Sequence, residues 1–225
     1  SFMNKKKNVF FVPTFAYIKF KNLYFVLKKI MSDDKYLMKE EYITFNNLLN
    51  CLFIFFRTKK YKGNFPYLNG WDFSNLVNKE IQSMKSYENI VGGLINYHFA
   101  KALFEKKIKI KKVVNWFENQ NLDKGWNLGF QNFFNNCSVI GYQGSTYFPE
   151  FFHQSPTCQE MKSKVIPKKI IVMGDAYKKI RKKFCSKLDI ITGPALRFDL
   201  IKKKFLNKKK YKFLFVLSGI KDYDE

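Results

Sequence analysis

From Ile108 onward, apolar runs of strand length alternate with segments whose apolar residues recur every three or four positions. Few folds satisfy that alternation. Residues 108–117 end in Val113, Val114, Trp116 and Phe117 and read as a strand, 123–134 as a helix, and 139–142 as a short buried strand. A β-α-β unit of this kind puts its loops, and any ligand, at the carboxyl ends of parallel strands. A connecting stretch, 147–169, carries Pro149, Pro156 and Pro167. The alternation then restarts: strand 169–173, turn Gly174 and Asp175, helix 176–184, strand 188–192, turn Gly193 and Pro194, strand 213–217. The expected fold class is α/β, with a helix-rich N-terminal Rossmann-like domain over 1–150, a connector over 151–168 and the first part of a second Rossmann-like domain over 169–225. A doubly wound domain needs about five or six strands, so the expectation is of a truncated chain.

The first half reads differently. Residues 15–31 and 36–56 carry apolar residues at helical spacing, separated by a turn and N-cap signal at Ser32, Asp33 and Asp34. Residues 9–12 fit a buried strand, 61–70 a loop marked by Pro and Gly, and 73–84 and 87–106 two further helices. His98 in the last of these has no metal-ligand partner at helical spacing and reads as a packing or surface histidine.

Charge raises a nucleic-acid reading: 41 Lys and Arg against 18 Asp and Glu give +23. Only Arg57, Arg181 and Arg197 are arginines, and sites for nucleic acid recruit Arg for bidentate and stacking contacts. Lysine, Phe, Tyr, Ile and Asn together are the residues of AT-rich codons, so the charge reads as a diffuse solvated surface and argues against nucleic acid as the partner. It suits peripheral contact with an anionic membrane. At 46% apolar and 19% aromatic the chain can bury a core, which excludes intrinsic disorder. The lysines before residues 9–18 imitate a leader peptide, but Pro13 and the lack of a small-residue cleavage site argue otherwise. Cys51, Cys137, Cys158 and Cys185 form no CxxC pair and are expected to be reduced thiols of a cytoplasmic protein, one held at most peripherally at the inner face of the cell membrane.

Candidate chemistry gathers at the strand ends. Glu118, Asn119 and Gln120 follow an apolar strand backed by Trp116 and Phe117; a carboxylate and two amides there can position sugar or polyol hydroxyls, with Glu118 as general base if burial raises its pKa. Alternatively, Glu118 and Asn119 cap the next helix. Tyr142, Gln143 and Gly144, followed by Ser145 and Thr146, form the second cluster, or an ordinary strand-turn with a buried Tyr. His153 in the connector is a weaker candidate. Gly174 and Asp175 open a helix whose N-terminus favours anions. Gly193 with Arg197, and Ser218 with Gly219, occupy the analogous places after later strands, Arg197 being a phosphate contact or a structural ion pair. Neither GxGxxG nor GxxxxGK[ST] is present, and no HExxH or GxSxG motif, so no metal or cofactor is called for.

The order WFENQ at 116–120, DKGWNLGF at 123–130, VIGYQGS at 139–145 and VIPKKIIVMGDAY at 165–177, with ALRF at 195–198, resembles bacterial surface-carbohydrate biosynthesis proteins. These resemble glycosyltransferases of the GT-B type, and the resemblance spans roughly residues 65–220. It implies transfer of a sugar from a nucleotide-linked donor to a glycan or lipid-linked acceptor, with the nucleotide sugar as substrate and no further cofactor. Glu118, Asn119, Gln120, Lys124, Tyr142, Gln143 and Gly144 would face an interdomain cleft from the acceptor side, and Gly174, Asp175, Gly193, Arg197, Ser218 and Gly219 would begin the donor side. More distantly, the chain resembles polyol-phosphate transferases of teichoic-acid synthesis, where a YQH-type tripeptide stands in place of Tyr142, Gln143 and Gly144. The readings weighed against a transferase are a non-enzymatic basic nucleic-acid-binding protein and a peripheral scaffold of envelope assembly.

Overall fold

The computed structural model describes residues 9–14, 19–60, 70–83, 87–145 and 152–196. Its helices are α1 (Phe20–Met31), α2 (Phe45–Lys59), α3 (Ser74–Ser83), α4 (Tyr87–Glu105), α5 (Asn121–Phe133), α6 (Cys158–Lys162) and α7 (Asp175–Phe184). The strands are β1 (Lys112–Trp116), β2 (Ser138–Gln143), β3 (Lys169–Val172) and β4 (Ile190–Thr192). They form one four-stranded, all-parallel sheet in the order β1-β2-β3-β4, as a Rossmann-like α/β unit requires. The candidate strand 213–217 lies outside the described residues.

The connector does not separate two sheets. Tyr142 pairs with Ile171 and Gln143 with Val172, so the expected boundary over 151–168 falls inside a continuous sheet. The chain turns back because it is anchored at several points. Pro167 packs onto Gly141, where a Cβ would come within 2.5 Å of the proline ring and 2.8 Å of Phe117 Cβ. Gln131 Nε2 donates to the carbonyls of Lys164 and Ile166 at 2.9 and 2.7 Å. Finally, Cys158 at the start of α6 is joined by a disulfide to Cys185, just after α7. The expectation of four reduced thiols is therefore corrected for this pair: their meeting is a product of the fold and no local spacing announces it. Cys51 and Cys137 are free and buried.

Strand alternation decides where the core sits. Val113, Val139, Ile170, Val172 and Ile190 point to the face covered by α5 and α7, in two clusters, one around Phe99, Phe130 and Phe134 and one around Phe117, Ile166 and Leu188. On the opposite face Trp116, Tyr142, Ile171 and Ile191 form one cross-strand row. A shallow groove of about 260 Å³ lies there between Val114, Trp116, Tyr142, Ile171 and Leu196. α4 backs the sheet's helical layer by packing closely on α5. Glycines permit that approach: a Cβ on Gly125 would stand 1.7 Å from the Gly93 carbonyl oxygen.

In the first half, residues 9–12 make only a single bridge, Phe11 to Tyr36, in place of the expected buried strand, and Phe10 is exposed. The expected helix over 36–56 begins instead at Phe45. Thr44 is the reason: its hydroxyl accepts from Asn47 N at 3.2 Å while Asn47 Oδ1 accepts from Thr44 N at 3.0 Å, a reciprocal cap that fixes the start. His98 is half-buried between α4 and α2, its Nδ1 3.5 Å from Asn47 Nδ2, and burial lowers its pKa. Among the described residues, no helix is long and apolar enough to cross a membrane.

Candidate functional site

The carboxyl ends of β1 to β4 line one rim because the strands are parallel and in one sheet. Phe117 extends the ladder beyond β1, its N–H donating to Tyr142 O at 3.0 Å, and its ring is fully buried. The next three residues turn sharply, with Asn119 at φ 60°. Asp123, in the first turn of α5, stabilises that turn: its Oδ2 accepts from Glu118 N at 2.9 Å and Gln120 N at 3.0 Å. Burial raises the Asp123 pKa, a shift that the bonds from these N–H groups only partly oppose.

Asp123, not Glu118 or Asn119, thus supplies the capping carboxylate. The Glu118 carboxylate is turned to the rim instead, where Oε1 accepts from Trp116 Nε1 at 2.8 Å and Oε2 from Gln120 Nε2 at 3.0 Å. Ser145 Oγ, from the end of β2, lies 3.5 Å from Oε1. The first two expected clusters are therefore neighbours, brought together by the β1–β2 pairing.

Several of the candidates are committed to holding the connector. Asn119 Nδ2 donates to His153 O at 2.9 Å and to Glu160 Oε1 at 3.3 Å. Lys124 Nζ donates to the same Glu160 oxygen at 2.6 Å, an ion pair between α5 and α6. Burial works to raise the Glu160 pKa, but the bonds from Lys124 and Thr157 and the Lys124 charge outweigh it and leave it lowered. The His153 side chain is exposed.

Gln143 is buried on the helical face and fully engaged. Its Oε1 accepts from Arg181 Nε at 3.1 Å and its Nε2 donates to Gln154 O at 2.9 Å. Arg181, only 2% exposed, also donates through Nη1 to Ser155 Oγ at 3.1 Å and through Nη2 to Gln154 Oε1 at 3.3 Å. Burial lowers its pKa. Sequence reasoning passed over Arg181 within its run of lysines. A signal was available: an arginine in a chain that otherwise uses lysine marks a place where a planar, multidentate donor is needed.

Tyr142 points to the other face, its Oη donating to Pro194 O at 2.8 Å and accepting from Leu196 N at 3.1 Å. Gly144 is a packing requirement, since a Cβ there would meet the Tyr142 and Trp116 rings at 2.4 and 2.5 Å. Gly174 follows β3 with φ 117°, which favours glycine, and precedes Asp175, whose Oδ1 accepts from Thr192 Oγ1. Gly193 extends the ladder through its N–H to Val172 O at 2.9 Å. Gly174, Asp175 and Gly193 thus share the rim of the sheet that carries Glu118; their expected place on an opposing module is corrected by the pairing of β2 with β3. Thr146, Arg197, Ser218 and Gly219 lie outside the described residues.

The arrangement provides an oriented carboxylate, the Gln120 amide and a hydroxyl beside a half-exposed indole. Compared with known proteins, the chain matches no family model, no curated protein and no solved structure.

Proposed function

We propose that the protein is a glycosyltransferase of bacterial surface-polysaccharide biosynthesis, passing a sugar from a nucleotide-linked donor to a glycan or lipid-linked acceptor. The four-stranded sheet is then one Rossmann-like module of a GT-B-type enzyme, with its acceptor site on the β1–β2 rim.

One observation carries the reading: Glu118 stands at the carboxyl end of a parallel strand, relieved of capping by Asp123 and aimed by Trp116 and Gln120. Its role is general base. It takes the proton from an acceptor hydroxyl as that oxygen bonds to the anomeric carbon, and the bond from that carbon to the donor phosphate breaks with the nucleotide as leaving group. The Trp116 indole supplies an apolar face for the sugar ring, and Gln120 and Ser145 orient hydroxyls.

The test is Glu118→Gln in a transfer assay. The amide keeps the shape and loses the basicity, so kcat should fall by about 10²–10⁴-fold with the donor KM little changed. A variant as fast as the parent protein would remove Glu118 from the chemistry.

A further inference from the structure

α2 carries an apolar face that its own fold leaves exposed. On the side turned to α4, Cys51 and Phe55 are buried. Around the helix from them, Phe45, Leu49, Leu52, Phe53 and Phe56 recur at helical spacing within an arc of about 100° at 100° per residue. Phe45 and Phe53 are 72% and 67% exposed. An ordinary solvated helix does not present five large apolar side chains along about three turns.

The charge on the helix itself has one sign. No Asp or Glu occurs between Glu41 and Asp72, nor anywhere before Asp33, while Arg57 and Lys60 are exposed at the C-terminal end of α2. A second copy of the chain would bring the same positive charge to the contact. A nucleic acid would answer the cations but offer no apolar matrix to Leu49 and Leu52. An anionic lipid surface answers both.

We propose that α2 docks on an anionic bilayer, laying Phe45, Leu49, Leu52, Phe53 and Phe56 into the boundary between headgroups and acyl chains, with Arg57 and Lys60 against the lipid phosphates. The face is separate from the rim that carries Glu118, so the two proposals fail independently. Docking would bring the enzyme to acceptors that are themselves membrane-bound.

The experiment is co-sedimentation of the full chain with phosphatidylcholine vesicles, with and without about one-third phosphatidylglycerol. Binding should be at least about tenfold stronger to the anionic vesicles. The double variant Phe45→Ser/Phe53→Ser, whose lost rings are exposed in the parent, should keep the parent's circular dichroism and lose about tenfold or more in binding. Independently, Phe53→Trp should shift its emission to the blue on anionic vesicles. Equal binding by the parent and the serine variant would overturn the proposal, because the charge alone would then account for adsorption. So would a dimer seen by sedimentation velocity without lipid and abolished by the same substitutions, which would make a second copy the occupant.

Discussion

Replacing Gly125 by alanine sets two effects against each other. In the interior of α5 the change should help, since alanine exceeds glycine in helix propensity by about 1 kcal/mol. The packing on α4 opposes it. A Cβ at position 125 would stand 1.7 Å from Gly93 O, 2.4 Å from Gly93 C and 2.9 Å from Gly93 Cα. All three atoms are backbone, so no side chain can swing away. Reaching ordinary contact requires the helices to part by roughly 1.5 Å, which opens the layer holding Phe99, Ala100 and Phe130. Overpacking costs about 1–3 kcal/mol, and a collision of backbone with backbone belongs at the upper end. The net expectation is a loss of about 2 kcal/mol. Gly92→Ala is the control. Its Cβ would meet Leu122 Cδ2 at 2.5 Å, the end of a flexible side chain, so its stability should stay within about 1 kcal/mol of the parent. Urea unfolding followed by circular dichroism measures both. A Gly125→Ala protein that unfolds at or above the parent midpoint would refute the close contact of α4 with α5.

Further outcomes follow from the connector. Reducing Cys158–Cys185, which closes a loop with a sequence separation of 27, should cost about 3.5 kcal/mol by chain-entropy reasoning, read as a lower urea midpoint in dithiothreitol; an unchanged midpoint would mean that the bond is not formed. Arg181→Met leaves the acceptors on Gln143, Gln154 and Ser155 without their donor and should lose about 3 kcal/mol, with Arg181→Lys restoring only part of it; stability equal to the parent would show that the cluster is not buried. Asp123 has a raised pKa, so the folded state holds its proton to higher pH than the unfolded chain, and the associated stability is lost as pH rises through the folded value. Asp123→Asn should therefore gain stability relative to the parent from acid to neutral pH. Glu160 is lowered, and its stabilisation is present above the unfolded value and lost as pH falls through the folded one, so Glu160→Gln should lose ground over the same rise. Parallel pH profiles for parent and variants would contradict both.

The strands and helices after Ile108 were legible because buried parallel strands are written as short continuous apolar runs. Their limits were less so: Ile108 and Ile110 are apolar because they pack on the core from a loop, and β1 begins only at Lys112. The prolines of the connector read as a linker, whereas Pro167 is there to pack on Gly141. Continuity of the sheet depends on β2 meeting β3, and the disulfide depends on α6 meeting the end of α7; both are long-range meetings without a local signature. The rim showed the same division. Glu118 beside Trp116 could be found from adjacent residues, but the partner that occupies Gln143 is Arg181, on a helix one strand further along the chain. A polar side chain at a strand end looks the same in sequence whether it awaits a ligand or is already satisfied.

The most direct measurement is nucleotide release by the full chain from a panel of UDP-, GDP-, CMP- and dTDP-linked sugars, with and without glycan or lipid-linked acceptors. The expected result is release from at least one donor that requires an acceptor and is lost in Glu118→Gln. No acceptor-dependent release from any donor, or release that is indifferent to Glu118, would contradict a glycosyltransferase built on this rim.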